Sequence, residues 1–522
     1  MIREISRRKC LRLWLCKPEY MERTKWENRF VLLRFRKKNY MMFLKDLKRF
    51  KMERLYDKLK AYSESDFYAF HMPGHKRNKA LLGIELPYDL DITEIDGFDD
   101  LHHADGILKE EQERAARVFG AEESHFLVNG STAGILSAVM GCTRRGDKIL
   151  VARHCHKSIY HAIYMNGLVP RYVYPEFDIS MHMNGEISKE DVAKALAAEP
   201  DIKAVVIVSP NYDGVVSDVK GIAEVSHSYR IPLIVDEAHG PHFGFHPAFP
   251  GRANDLGADV VINSLHKTLP SLTQTAILHI NGKIVNRRRI KKYLDMLQSS
   301  SPSYIFMASL DACVDFVDGK CENAFELYVE RLQKFREELE PLQHLQILRT
   351  EHYDISKVVI STANANITSP ELADRLRKEY HLEMEMTGGT YVLAMTTVAD
   401  TQEGLDRLKA ALLEIDGQLE AKTAVSGSIE ISGELPRLEQ YFTPQEAADR
   451  EEDGEAEEIP WKESEGHISL EYAYLYPPGS PVIVPGERIS REAVELLCYY
   501  ETQNLQIEGI QTEGKIKVWK HE

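Results

Sequence analysis

"IPLIVDEAHG" (231–240) and "ADVVINSLHK" (258–267) decide the fold of this chain. Both are nearly unbroken runs of Ile, Val and Leu that stop at polar residues. A strand that is apolar on both faces is covered on both faces, as in a parallel sheet beneath helices. The same pattern continues on the N-terminal side. "HFLVNG" (125–130), "DKILVAR" (147–153) and "AVVIVSP" (204–210) read as further strands. "STAGILSAVMGC" (131–142) and "SKEDVAKALAAEP" (188–200) read as helices between them, the second opening with a capping-box-like Ser188 to Asp191. This alternation predicts an α/β fold with a mostly parallel sheet. Such sheets bind ligands at the carboxyl ends of their strands, which is where 236–239 and 264–267 fall.

After about residue 310 the pattern turns helical, most clearly in "ENAFELYVERLQKFREELEPL" (322–342). Residues 350–420 mix strands and helices and predict a smaller α/β domain. Glu451 to Glu458 holds six acidic residues in eight and reads as a solvated loop. "YLYPPGSPVIVPGERI" (474–489), rich in Pro and Gly, reads as a rigid irregular segment. A chain of 522 residues divides into two to four domains at roughly 100–200 residues each. No internal repeat is visible.

Composition narrows the function. Hydrophobic content of 43% and charged content of 28% are those of an ordinary globular protein. The seven cysteines include no CxxC pair, which argues against a disulfide framework or a zinc site and fits a reducing cytoplasm. No apolar run approaches the roughly 18 residues of a membrane span, and no signal peptide is evident. The net charge is −16. Residues 1–51 carry 17 Lys+Arg against 5 Asp+Glu, or +12, so the rest carries −28. An acidic body of this kind binds nucleic acid poorly and suits a small cationic substrate. The basic segment 1–51 is expected to lie outside the fold, because an ordinary amphipathic pattern, "MERLYDKLKAY", opens at Met52.

The chemistry begins at "VDEAHG". A helicase-type DEAH box needs an upstream GxxxxGK[ST] phosphate loop. Gly-Lys occurs at 282–283, 319–320 and 514–515, in no case followed by Ser or Thr. Asp236 reads instead as the partner of a cofactor's pyridine nitrogen, which it would keep protonated so that the ring can draw electrons. Lys267 stands 31 residues on, at a neighbouring strand end. A desolvated lysine there loses its proton and can form an imine. "NGSTAG" (129–134), between strand and helix, offers a phosphate cradle of free N–H groups from Gly130 onward, with the Ser131 and Thr132 hydroxyls. Ser264 and His266 flank the lysine. "ARHCHKS" (152–158) offers His156 to stack on a ring. A metal site at His154, Cys155 and His156 is the rival, weakened because alternate residues of an extended segment point opposite ways.

Taken together, these motifs resemble the bacterial ornithine/lysine/arginine decarboxylases of the aspartate-aminotransferase fold (fold type I), especially their short Gram-positive branch. The resemblance runs from about Phe70 to Glu487. It includes "FHMPGHK" (70–76), "DDLHHADGILKEEQ" (99–112), "SPNYDGVVSD" (209–218), "SLHKTLPSLTQ" (264–274), "LQSSSPSYIFMASLD" (297–311) and "YPPGSPVIVPGE" (476–487). It implies pyridoxal 5′-phosphate (PLP) on Lys267, with Asp236 at the pyridine nitrogen and His156 on the ring. His239 would lie near the ring substituents, and Gly130, Ser131, Thr132, Ser264 and His266 would bind phosphate or line the site. The substrate would be lysine, arginine or ornithine, decarboxylated to the corresponding amine and CO2, with Lys267 or His266 returning the proton. An aminotransferase or another PLP lyase on the same fold is the alternative. The resemblance also implies a homodimer with its active site at the interface, reached across by 298–304, and no N-terminal wing domain of the larger branch. Expected boundaries are 1–51 (basic extension), 52–104 (arm), 105–310 (PLP-binding domain), 311–425 (small domain) and 426–522 (C-terminal domain). Glu471 and Glu487 are possible partners for a substrate cation, though surface acids are the plainer expectation.

Overall fold

A computed structural model describes residues 54–81, 83–178, 183–421, 435–475, 479–502, 505 and 507–520. The basic segment 1–51 lies outside the described residues, and Leu55–Glu522 clusters as one compact unit.

The apolar runs form one seven-stranded sheet. In chain order its strands are β1 (Glu123–Leu127), β2 (Lys148–Ala152), β3 (Val169–Val173), β4 (Val205–Val208), β5 (Leu233–Asp236), β6 (Val260–Asn263) and β7 (Ala276–Ile280). Their spatial order is β1-β7-β6-β5-β4-β2-β3. β7 runs antiparallel to both β1 and β6, and the other pairs are parallel. The sheet is therefore parallel apart from β7. That strand follows Lys267 through a short loop, "TLPSLTQT", instead of the helical crossover that a parallel partner requires. All residues of β4, β5, β6 and β7 are buried, as their composition requires.

Helix α1 (Leu55–Ser63) and α2 (Ile107–Val118) precede the sheet. The crossovers that matter here are α3 (Gly130–Cys142), α4 (Lys157–Asn166), α5 (Lys189–Ala198) and α6 (Val219–Ser228). α3 has little amphipathic character because it is buried almost all round. A Cβ on Gly134 would lie 2.6 Å from Leu127 Cδ1 and 3.2 Å from Ile262 Cγ2, so glycine there lets the helix lie flat on the sheet. A four-residue turn, α7 (Leu265–Thr268), carries Lys267 directly after β6.

A second, antiparallel sheet has β8 (Gln346–Ile347), β9 (Lys357–Ser361), β10 (Met386–Thr387) and β11 (Tyr391–Met395) in the order β8-β9-β11-β10. It shares an apolar core with α1, α2 and the long helix Glu322–Glu338.

Two expectations are corrected near the C-terminus. The acidic stretch 451–458 is the end of a helix (Pro444–Glu452) followed by a strand (Ala456–Pro460) paired with Lys515–Trp519. The helix has a Thr443/Glu446 capping box, a local signal that the acidic composition obscured. The Pro/Gly-rich segment 474–489 is not irregular throughout. Ala473–Leu475 pairs with Pro481–Ile483, and Glu487–Arg488 pairs with Glu439–Gln440. Residues 476–478 lie outside the described ones.

Candidate active site

β5 and β6 are parallel neighbours in register, with Asp236 opposite Ile262. Residues just past their carboxyl ends therefore meet. Asp236 is buried, and its Oδ1 accepts from Ala238 N at 3.1 Å. Burial raises its carboxyl, opposed by the Lys267 cation and the Ala238 N–H. Lys267 Nζ lies 2.6 Å from His239 Nε2. Desolvation draws Lys267 down to about 8, against Asp236, with the Lys357 cation adding to the fall. His239 is held well below the ordinary histidine value, first by burial and then by Lys267. A neutral His239 accepts from the lysine at Nε2 and keeps its proton on Nδ1, which has no hydrogen-bond partner among the described residues.

The other expected residues border this pair. Ser131 and Ser264 bond each other, Oγ to Oγ at 2.6 Å, joining the start of α3 to the residue that opens α7. Asn129 makes no side-chain cap on α3, and Gly130 adopts φ +72°, so the N–H groups at this end have no side-chain cap. Thr132 is exposed on the first turn. His266 Nδ1 donates to the Thr275 carbonyl at 2.9 Å, which leaves Nε2 without a proton, and burial lowers its basicity. His156 caps α4. Its Nδ1 accepts from Ser158 N at 3.2 Å and from Ser158 Oγ at 2.8 Å. Burial, then the Lys267 and Lys157 cations, draw it down to about 4. His154 is buried, and neither ring nitrogen has a partner among the described residues. No group of three His, Cys, Asp or Glu gathers to hold an ion among the described residues.

Several groups were not singled out in the sequence. The Tyr212 ring lies 4.4 Å from the His239 ring and 5.6 Å from Lys267 Nζ. Its hydroxyl donates to Glu385. Glu385 is exposed, and its charge is felt at Lys267. Lys357 and Asp354, both fully buried, come in from the second sheet. Only Tyr212 lay within a quoted motif, and nothing local marked it.

Glu487 and Glu471 are not surface acids. Glu487 grips Arg153 through both carboxylate oxygens, at 2.9 and 2.8 Å. Glu471 accepts from Gln511 N and Lys517 N at 3.1 and 2.9 Å. Both are buried and committed within the fold. A groove of about 820 Å³ beside Glu186, Lys189, Asp218 and His352 includes none of the residues around Lys267.

The arrangement fits a ring cofactor that carries a phosphate and an aldehyde. It has a buried acid, a desolvated amine, an unpartnered imidazole nitrogen and a helix N-terminus without a side-chain cap, with a hydroxyl pair beside it. The family model for the Orn/Lys/Arg decarboxylase major domain matches residues 53–421, and that for the C-terminal domain matches residues 433–514. Over 471 residues the chain is 33% identical to an arginine decarboxylase of Bacillus subtilis (strain 168), covering 87% of this chain and 95% of that one. It is 32% identical over 487 residues to an arginine decarboxylase of Bacillus anthracis, covering 89% and 97%. The solved structure of the E. coli constitutive lysine decarboxylase superposes with a TM-score of 0.76 at 20% identity, covering 96% of this chain and 86% of that one. At that identity the match shows the fold.

Proposed function

Because the chain belongs to the Orn/Lys/Arg decarboxylase family, we propose that it releases CO2 from a basic amino acid, with PLP held by Lys267. The observation that carries this reading is the desolvated Lys267 beside the buried Asp236 on adjoining strand ends. PLP, when bound, supplies a conjugated ring that accepts the electron pair left by the departing carboxylate.

The chain's residues supply the rest. Asp236 would hold a proton at the ring nitrogen. Ser131, Ser264 and the N-terminus of α3 would take the phosphate. His156 would lie against the ring, its depressed basicity keeping it neutral. Lys267 returns the proton to the substrate's α-carbon. It suits that task better than His266, whose Nδ1 proton is committed to Thr275. Tyr212 and the Glu385 carboxylate give an acidic rim for a cationic side chain.

An aminotransferase would clamp the substrate's α-carboxylate with an arginine. A decarboxylase leaves that group loosely held and free to depart, and the family match favours this reading. Arginine is the first substrate to expect, since two relatives above 30% identity over nearly their whole length bear that name. The protein works as a homodimer. Supporting this, the segment after α1 exposes Phe67, Tyr68, Phe70 and Leu81 by 68%, 70%, 90% and 73%, an apolar surface that a second copy would cover.

Borohydride reduction of the PLP-treated protein, followed by peptide mapping, tests the assignment. The added mass is expected on the Lys267 peptide and absent in Lys267→Ala. Its appearance on another lysine would refute the assignment.

A further inference from the structure

Lys357 is the first residue of β9, yet its side chain is fully buried and points toward the loop after β5. Its Nζ donates to Asp354 Oδ2 at 3.0 Å, to Ser356 Oγ at 3.3 Å and to the His239 carbonyl at 3.4 Å. Asp354 Oδ1 accepts from His242 Nε2 at 3.1 Å, and His242 Nδ1 accepts from Thr268 Oγ1 at 2.9 Å. Thr268 is the residue after Lys267, and His239 is the residue that Lys267 touches. One buried cation thus holds the backbone of His239 directly and reaches Thr268 through Asp354 and His242.

The chain makes room for this connection. Gly214 has φ +105°, and a Cβ there would lie 2.9 Å from both Cβ and Cγ of Lys357. Asp354 N donates to the Gly214 carbonyl at 2.8 Å, fixing the second sheet to the loop that carries Tyr212. Burial would raise the Asp354 carboxyl, but His242, Lys357 and Ser356 outweigh it and keep Asp354 ionised. His242 is lowered by burial in spite of Asp354.

We infer that Lys357 is a positioning residue for the reactive amine: its hydrogen bond to the His239 carbonyl holds the imidazole that Lys267 Nζ meets, and its buried charge stands against a second cation beside it. This rests on the reading of Lys267 as that amine. The groups that face Lys267 are Asp236 from β5, His239 from the following loop, His156 from the start of α4, Tyr212 from the loop after β4, His266 from α7, Glu385 from before β10 and Lys357 from β9. Asp236 and Glu385 favour its protonation, and Lys357 is the cation that opposes it.

Competitive labelling of the PLP-free protein with a limiting acylating reagent, read by peptide mass spectrometry across pH, gives the titration midpoint of Lys267 apart from every other lysine. Wild type is expected near 8. Lys357→Met should move the midpoint up by roughly half a unit or more, the effect of one buried charge at an effective dielectric of about 20. Lys357→Arg should bring it back toward wild type. Should Lys357→Met fail to fold, Asp354→Asn/Lys357→Met removes both charges together and should show a rise in the same direction, smaller because the Asp354 carboxylate goes with the cation. An unmoved midpoint in a folded variant overturns the role of Lys357, and so does an arginine variant that shifts as far as the methionine one. A wild-type Lys267 that titrates like a surface lysine overturns the underlying reading as well.

Discussion

At the scale of single residues, the site is built from groups that cost stability. Lys267 has a depressed value in the folded state, so folding is penalised below pH about 8 and the penalty fades as pH rises from about 8 toward 10.5. Lys267→Met should therefore abolish turnover and yet stabilise the PLP-free protein at pH 7 by up to about 3 kcal/mol, at roughly 1.4 kcal/mol per unit. Thermal unfolding at pH 7 and pH 10 checks this, since the gain should shrink at the higher pH. Glu237, the second acid of "VDEAHG", does a different job from Asp236. It is buried, accepts from Ala253 N and Asn263 Nδ2, and is pushed up to about 8 by desolvation. Its folded form holds a proton that the unfolded chain releases, so stability falls as pH rises from about 4.5 to about 8. Glu237→Gln should flatten that slope in urea titrations at pH 5 and pH 8. Lys267 and Asp236 were legible because each ends an apolar run, one crossover apart. Lys357, Asp354 and His242 were not, because they meet through long-range packing between two sheets and share no local pattern.

At the scale of elements, hydrophobic patterning gave the strands and helices around the sheet. It could not give the direction of β7, which depends on the short loop after Lys267 and not on which residues are apolar. The acidic helix and strand after residue 443 were hidden because composition there signals solvent while the caps signal structure. α3 supplies a sharper test. It crosses α8 (Arg287–Leu297) so closely that a Cβ on Gly141 would stand 2.6 Å from Ile290 Cγ1 and 2.8 Å from its Cα. Gly→Ala inside a helix ordinarily gains about 1 kcal/mol. Here Gly141→Ala must push backbone apart, and overpacking of that kind costs about 1–3 kcal/mol. A fall in melting temperature is expected, and a rise would contradict the packing.

At the scale of the whole molecule, the C-terminal segment is fastened beside the site. Arg153 follows β2, three residues before His156. It is gripped by Glu487, donates to the Val482 carbonyl at 2.9 Å, and lies 4.7 Å from the Tyr172 ring. Removing one partner of a buried pair costs about 3–5 kcal/mol, so Glu487→Ala should lower the melting temperature by several degrees and expose 480–487 to proteolysis. The exposed aromatic segment around Phe70 tests the proposed homodimer. Phe70→Asp should shift sedimentation toward the monomer and reduce turnover with it. These parts serve one reaction, and product analysis reads it most directly. The purified protein with PLP is given arginine, lysine and ornithine in turn, and CO2, amine and keto acid are measured. The expected result is CO2 and amine in equal amounts from at least one of the three, arginine foremost, with none from Lys267→Ala. Keto acid without CO2, or CO2 release that survives Lys267→Ala, would contradict it.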